Sequence, residues 1–364
     1  MAAAVALVVM LGAPRAGLAA DPPAAPSGSP SPAPTVAPAV NPSAPPGSGA
    51  SASAPGGIRN PLPTPTPTPT PMPTITPPPR PAAVDGAVPA SVLAQLSVFG
   101  TQVAAPYYDG CHVVMAGVVS SKPCLYGKLS SKTTIAIYGD SHALAWFPAV
   151  LRLAQARGWR VMNVTMSGCG PAEITQVYRG GGVMVACTAF HKAAIAKLAR
   201  ARPTMILVTG SRGFRTVDGS GHLLTGTQRA AVWSVGMKRA LAKLIPIAKR
   251  VVLIADTPNS SYFDTTGCLR SHPRSVLACA TSVTHSVDYK WLNTEYHVAL
   301  AKHVAFIDAE RWICRASPCS LVVGSVVTHR NSGHLSVRFM SSLWQRMLTA
   351  IDAAMEQPGV VIGP

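Results

Sequence analysis

The sequence predicts an α/β domain, a parallel sheet covered by helices on both faces, for the part of the chain that begins at about Phe99. Two observations predict it. Short β-branched, apolar runs alternate with longer amphipathic stretches as far as the C-terminus, the pattern of successive strand-helix units. The first run, Thr133-Thr134-Ile135-Ala136-Ile137-Tyr138, reads by composition as a strand buried on both faces.

The boundary near residue 99 is compositional. Of the 35 prolines in this 364-residue chain, 23 fall in the first 85 positions, and none of the 21 aromatic residues precedes Phe99. Residues 1–20 hold an apolar run from Ala2 to Ala13 and then Ala16-Gly17-Leu18-Ala19-Ala20. That is the layout of a secretory signal cleaved near Ala19 or Ala20, although no Lys or Arg precedes the run. The alternative is the remnant of a membrane segment from a longer protein, since the run alone is too short to span a bilayer. Either reading places the rest of the chain outside the cytoplasm, secreted or held at the cell envelope by its N-terminus.

Residues 21–98 are dominated by Pro, Ala, Ser, Thr and Gly, with a prolyl-threonyl repeat over 61–71. With almost no apolar bulk to bury, such a segment stays extended, largely polyproline II, and is expected to be a disordered linker. At ~3.1 Å per residue it would reach on the order of 100 Å or more. Its threonines are open to O-glycosylation. Residues 99–357 form the expected domain and 358–364 a tail.

The element assignments run in order. Residues 133–138 read as a buried strand that Gly139-Asp140-Ser141 breaks before a helix over 142–157. A second strand over 159–164 follows, then a helix over 184–201, a strand over 204–208 after Pro203, and a helix over 227–247. Residues 250–255 and 304–308 are the last two strands, separated by a helix over 289–303. A final helix spans 336–355. In a sheet of this kind, ligands bind outside the carboxyl ends of the strands.

Net charge is +17, from 31 basic and 14 acidic residues, and the folded part carries nearly all of it. A surface of this kind favours polyanions: nucleic acid, anionic lipid headgroups or phosphate-bearing wall polymers. Nucleic acid fits least. Arg152, Arg157, Arg160, Lys192, Lys197 and Arg200 are scattered rather than interleaved with aromatics, and export argues against it.

Eight cysteines, Cys111, Cys124, Cys169, Cys187, Cys268, Cys279, Cys314 and Cys319, all lie in the expected domain. No Cys-x-x-Cys pair occurs, so neither a structural zinc nor any other metal or cofactor is expected. An even count in an exported chain favours disulfides. Sequential pairing gives four local loops, and other connectivities remain open.

Gly139-Asp140-Ser141-His142 is the most informative segment. A Ser directly after a strand and opening a helix sits at the carboxyl edge of the sheet, where backbone N–H groups can hold an oxyanion. Ser141 is therefore placed as a nucleophile, with helix capping as its alternative role. A nucleophilic Ser needs a base brought from elsewhere in the chain. His334, in a loop just before the final helix, supplies one.

Taken together, these blocks resemble the SGNH hydrolase superfamily: Tyr138-Gly139-Asp140-Ser141-His142-Ala143, Ser167-Gly168-Cys169-Gly170 and His334-Leu335-Ser336. More narrowly, with Asp109-Gly110-Cys111, Ser211-Arg212-Gly213 and Ala255-Asp256-Thr257-Pro258, the chain resembles the SGNH domain that follows the membrane domain of bacterial, notably actinobacterial, acyltransferase-3 proteins. The resemblance covers about residues 107–354. It implies a flavodoxin-like three-layer sandwich, a catalytic Ser141, a base at His334, and oxyanion donors from the backbone of Ser141 and Gly168. Two departures stand out. The superfamily's third-block Asn is absent from Thr209-Gly210-Ser211-Arg212, leaving Ser211 or Arg212 as substitutes. Asn331 occupies the position, three residues before the histidine, where the family has Asp.

Asn accepts a hydrogen bond and orients the imidazole but cannot stabilise its charged form. Three outcomes follow: a slow Ser-His dyad, another carboxylate such as Asp256 in the missing role, or lost catalysis. The expected function is acyl transfer or ester hydrolysis on O-acyl groups, acetyl foremost, of envelope glycans, by a monomer working with a membrane acyltransferase domain. The alternative is a weak or inactive glycan-binding scaffold.

Overall fold

The structure, a computed structural model, describes residues 72–77, 79–115 and 118–363. The expected signal and the linker as far as residue 71 lie outside the described residues.

Strands β1 (His112–Val113), β2 (Leu125–Gly127), β3 (Thr134–Gly139), β4 (Arg160–Met166), β5 (Met205–Thr209), β6 (Arg250–Ile254) and β7 (Ala305–Ile307) belong to one sheet. After a small hairpin, β8 (Val322–Val323) and β9 (Val326–Val327), the C-terminal β10 (Val361–Ile362) joins that sheet. The order is β1-β4-β3-β5-β6-β7-β10, parallel throughout, with β2 antiparallel beside the start of β4. Counted from β3, the five central strands lie in the order second, first, third, fourth, fifth, the flavodoxin-like winding. Its switch point falls between β3 and β5.

Period-two alternation divides the central strands between two cores. Ile135, Ile137, Leu207, Val252 and Ile307 face helices α1 (Ser141–Ala145) and α2 (Phe147–Arg157) together with the C-terminal helices. Ala136, Tyr138, Val208, Leu253 and Phe306 face α3 (Val185–Ala201), α4 (Gly226–Leu244) and α5 (Tyr289–Ala301). All six residues of β3 are buried, which is why the strand carries Ile135, Ala136 and Ile137 on both of its faces.

Four expectations about the elements need correction. The helix expected over 142–157 is two helices, because Pro148 has no N–H to carry the ladder past Trp146. The final helix is likewise divided, into α6 (Val337–Ser342) and α7 (Trp344–Glu356). The linker ends earlier than 98. The Arg80 guanidinium pairs with the buried Glu310 carboxylate and donates to the Tyr289 hydroxyl at 2.8 Å, while Val88, Val92 and Leu96 pack on Leu269, Leu321 and Val327. Composition hides these few anchors among prolines and alanines. The expected tail also contributes, since Val361 and Ile362 pair with Phe306 and Ile307.

The eight cysteines form four sequential disulfides: Cys111–Cys124, Cys169–Cys187, Cys268–Cys279 and Cys314–Cys319. The second fixes the loop after β4 to the start of α3. Among the described residues, no helix is long and apolar enough to cross a membrane.

Candidate active site

The loops that follow β3, β4, β5 and β6 converge at the carboxyl edge of the sheet. Gly139 makes the turn out of β3 with φ +146°, and a Cβ there would collide with the Thr209 carbonyl oxygen of β5. No other residue fits so close an approach. Asp140 then caps α1, accepting from the His142 N–H at 2.8 Å, and its other oxygen accepts from the Ser211 N–H at 2.8 Å. One buried carboxylate thus ties the β3 loop to the β5 loop.

Ser141, at the first turn of α1, stands half-buried with its Oγ 3.0 Å from His334 Nε2. Asn331 Oδ1 accepts from the His334 backbone N–H at 2.9 Å and from Nδ1 at 3.0 Å. An amide oxygen can only accept, so Nδ1 carries the ring proton and Nε2 is left to accept from the serine hydroxyl. Burial first, then the neighbouring charges of His142 and Arg330, push the His334 pKa down to about 3. The ring is neutral at any ordinary pH and is a weak base.

Asp256 reaches the same edge, but not His334. Its Oδ1 accepts from His142 Nδ1 at 2.6 Å and from the Thr257 N–H at 2.8 Å, and its Oδ2 accepts from the Arg212 N–H at 2.8 Å. Burial opposes charge on His142, yet Asp256 and the more distant Asp140 outweigh it and raise the pKa. The His142 ring meets the His334 ring edge on, with centroids 5.4 Å apart. Beneath this pair, Glu295 accepts from the Asp256 N–H at 3.1 Å, and burial together with the Asp256 charge pushes its carboxyl strongly towards the neutral form.

Gly168 lies in the loop after β4. Among the described residues, neither its N–H nor that of Ser141 has a hydrogen-bond partner. The Ser211 N–H is occupied by Asp140, and the Ser211 hydroxyl accepts from the Gly213 N–H at 3.0 Å. Arg212 donates to the Thr257 and Ser286 carbonyls at 3.2 and 2.8 Å. Its guanidinium holds loops together rather than standing free.

Sequence reasoning brings Ser141, His334 and Asn331 together as the structure does. It misses the pairing of His142 with Asp256, for which no spacing signal exists across 114 residues. It also misses Tyr107 and Arg330, which with Ser141, His334 and Leu144 line a small pocket of about 20 Å³, room for one water-sized group.

A family model for an SGNH domain, fused to AT3 domains, matches residues 110–348. The solved periplasmic domain of a lipopolysaccharide acetyltransferase from Salmonella ser. Paratyphi A is 17% identical, covering 70% of this chain and 99% of its own with a TM-score of 0.50. At that identity the likeness is one of fold. A Geobacillus acetyl-xylooligosaccharide esterase is 15% identical over 62% of this chain and 96% of its own, with a TM-score of 0.34. No curated protein matches the chain.

Proposed function

The chain belongs to the family of SGNH domains fused to AT3 domains, and from that premise we propose that it is an exported acyltransferase or esterase acting on O-acyl groups, acetyl foremost, of cell-envelope glycans through Ser141 and His334. The observation that carries the reading is the 3.0 Å contact between Ser141 Oγ and His334 Nε2, with the tautomer fixed by Asn331.

In the first half-reaction, Ser141 Oγ attacks the acyl carbonyl carbon as its proton passes to His334 Nε2. The tetrahedral oxyanion is met by the unpartnered N–H groups of Ser141 and Gly168, with the Ser211 hydroxyl as a candidate third donor. Collapse breaks the ester bond, and His334 returns its proton to the departing oxygen. In the second half-reaction, a sugar hydroxyl or water gives its proton to His334 as it attacks the acyl-serine, and collapse breaks the Ser141 ester bond while His334 returns the proton to Ser141 Oγ. The accepting molecule alone separates transferase from esterase. The family's fusion to AT3 domains supports a membrane acyltransferase domain as the source of the acyl group. The small pocket beside Ser141 has room for the methyl of an acetyl group and no longer chain.

Asn331 favours a second reading, a glycan-binding domain with little turnover, because nothing at that position stabilises a charged His334. A fluorophosphonate probe and an aryl acetate separate the two. The catalytic reading expects labelling and turnover that disappear in Ser141→Ala and fall at least a hundredfold in His334→Ala. Labelling that persists in Ser141→Ala, or turnover indifferent to both substitutions, overturns it.

A further inference from the structure

Arg330 stands at the rim of the Ser141 pocket with its guanidinium carbon 6.0 Å from the centroid of the Tyr107 ring. Its backbone N–H closes the turn onto the His334 carbonyl at 2.7 Å, so the side chain is anchored beside the histidine. Among the described residues, the guanidinium has no ion pair, and the Tyr107 hydroxyl is the side-chain partner it meets. The contact with Tyr107 takes one of the five N–H donors of the guanidinium and leaves the others for a ligand. Half-buried and without a carboxylate partner among the described residues, the guanidinium presents a fork of donors that matches a carboxylate or phosphate.

The nearest carboxylates, Asp140 and Asp256, are buried behind the pocket and committed to the Ser211 and Arg212 N–H groups. No Asp or Glu lines the pocket. It continues, through the shared Val103, Ala104, Pro148 and Val337, into a shallow groove of about 390 Å³ along α2 that ends at the exposed Arg152, whose guanidinium stacks on Trp344. The groove floor is apolar, from Phe147, Pro148 and Leu151, as suits the face of a sugar ring.

We propose that Arg330 is an anion-binding residue that selects a negatively charged glycan, placing a carboxylate or phosphate of the sugar beside the ester that Ser141 attacks. This rests on the catalytic reading for the identity of the ester, and on geometry for the anion. It also meets the deficit at Asn331. Arg330 opposes a positive charge on His334, and a bound anion cancels that opposition while supplying negative charge near the imidazolium formed during attack. An acidic substrate therefore gains in kcat as well as in KM.

The test is binding to the full chain carrying Ser141→Ala, which removes turnover and keeps the pocket. Tri-galacturonate, an oligosaccharide carrying a phosphodiester, and neutral xylotriose are titrated by calorimetry. At least one acidic ligand is expected to bind tenfold or more tightly than xylotriose, the two acidic ligands distinguishing carboxylate from phosphate. Adding Arg330→Gln abolishes that preference, and Arg330→Lys retains most of it, with circular dichroism confirming that each variant is folded. Equal binding of all three ligands, or a preference unchanged in Arg330→Gln, overturns the proposal. A preference lost in both variants marks the stack on Tyr107, not the charge, as the determinant and overturns it too. Because no outcome depends on turnover, a catalytically dead domain that still prefers acidic ligands refutes the enzyme reading alone.

Discussion

His142 Nδ1 stands 2.6 Å from Asp256 Oδ1, and the ring held in this way meets that of His334 edge on at 5.4 Å. A carboxylate is thus present at the site, but it is spent on the histidine next to the nucleophile rather than on the base. Charge held on His142 by Asp256 works against charge on His334, and a buried pair transmits this through a low dielectric.

Asp256→Asn removes the counter-charge, so His142 becomes neutral at lower pH and ceases to oppose protonation of His334, an effect that outweighs the loss of the weaker favourable charge Asp256 itself places on that ring. The base acts only when unprotonated. A raised His334 pKa therefore moves the acid limb of the pH–rate profile to higher pH, read from kcat/KM on an aryl acetate. An unmoved limb means that His142 carries no charge beside His334. The same substitution breaks a buried pair and is expected to cost about 3 kcal/mol in urea unfolding.

Asn331→Asp places a carboxylate oxygen 3.0 Å from His334 Nδ1, where the amide oxygen now stands. The loss of a triad carboxylate costs ~10⁴ in serine proteases. Its restoration here is expected to raise kcat tenfold or more and to move the acid limb upward, because the charged imidazole is now favoured. An unchanged rate with an unmoved limb places the limiting step elsewhere.

Acid stability follows from histidines kept neutral by burial. The pKa values of His112, His329 and His334 are pushed from an ordinary 6.5 to about 4, about 4 and about 3, with burial as the largest cause in each. Between these values the unfolded chain binds protons that the folded chain does not, so stability present above pH 6.5 is lost as the pH falls through that window. His142, with its raised pKa, acts in the opposite sense as pH rises. His191 is lowered by burial in the same way, whereas the carboxyls of Glu295 and Glu310, pushed up by burial, act with His142. The histidine contribution is therefore read by difference: His329→Gln is expected to lose less stability than the wild type between pH 6.5 and about 4. A variant whose stability falls with pH as steeply as the wild type's contradicts the assignment.

The segment before Phe99 tests the domain boundary. A chain starting at residue 99 loses the Arg80–Glu310 pair and the buried Val88, Val92 and Leu96, leaving Leu269 and Leu321 uncovered. Burial of each such side chain is worth roughly 1.5–3 kcal/mol. Relative to a chain starting at residue 72, its urea unfolding is expected to show a loss of at least about 3 kcal/mol. Equal stability for the two would mean that these contacts contribute nothing.

The legible parts of the molecule were those whose causes are local. Residues of β3 are buried at every position because both faces are covered, and the same run in the sequence marks both the strand and, at its end, Gly139-Asp140-Ser141. Pro148 was equally readable as a helix breaker, yet the amphipathic run around it suggested one continuous helix. Arg80 and Val88 were obscured for the opposite reason. A few anchoring residues in a stretch rich in prolines do not alter its composition, although each anchor is buried when its partner lies more than 180 positions further along.

By itself the sequence determined a buried parallel sheet, a serine at its carboxyl edge, a histidine before the last helices and an amide where a carboxylate is customary. These are properties of residue type and period, fixed by backbone geometry and hydrophobic burial. Tertiary structure alone decided that Asp256 serves His142 and not His334, that Asp140 takes up the Ser211 N–H, and that Arg330 stands beside Tyr107 at the rim of the Ser141 pocket. Each of these depends on which loops the strand order β4-β3-β5-β6 brings side by side, and hydrogen-bond partners across such loops are chosen by distance and angle, which no spacing along the chain encodes.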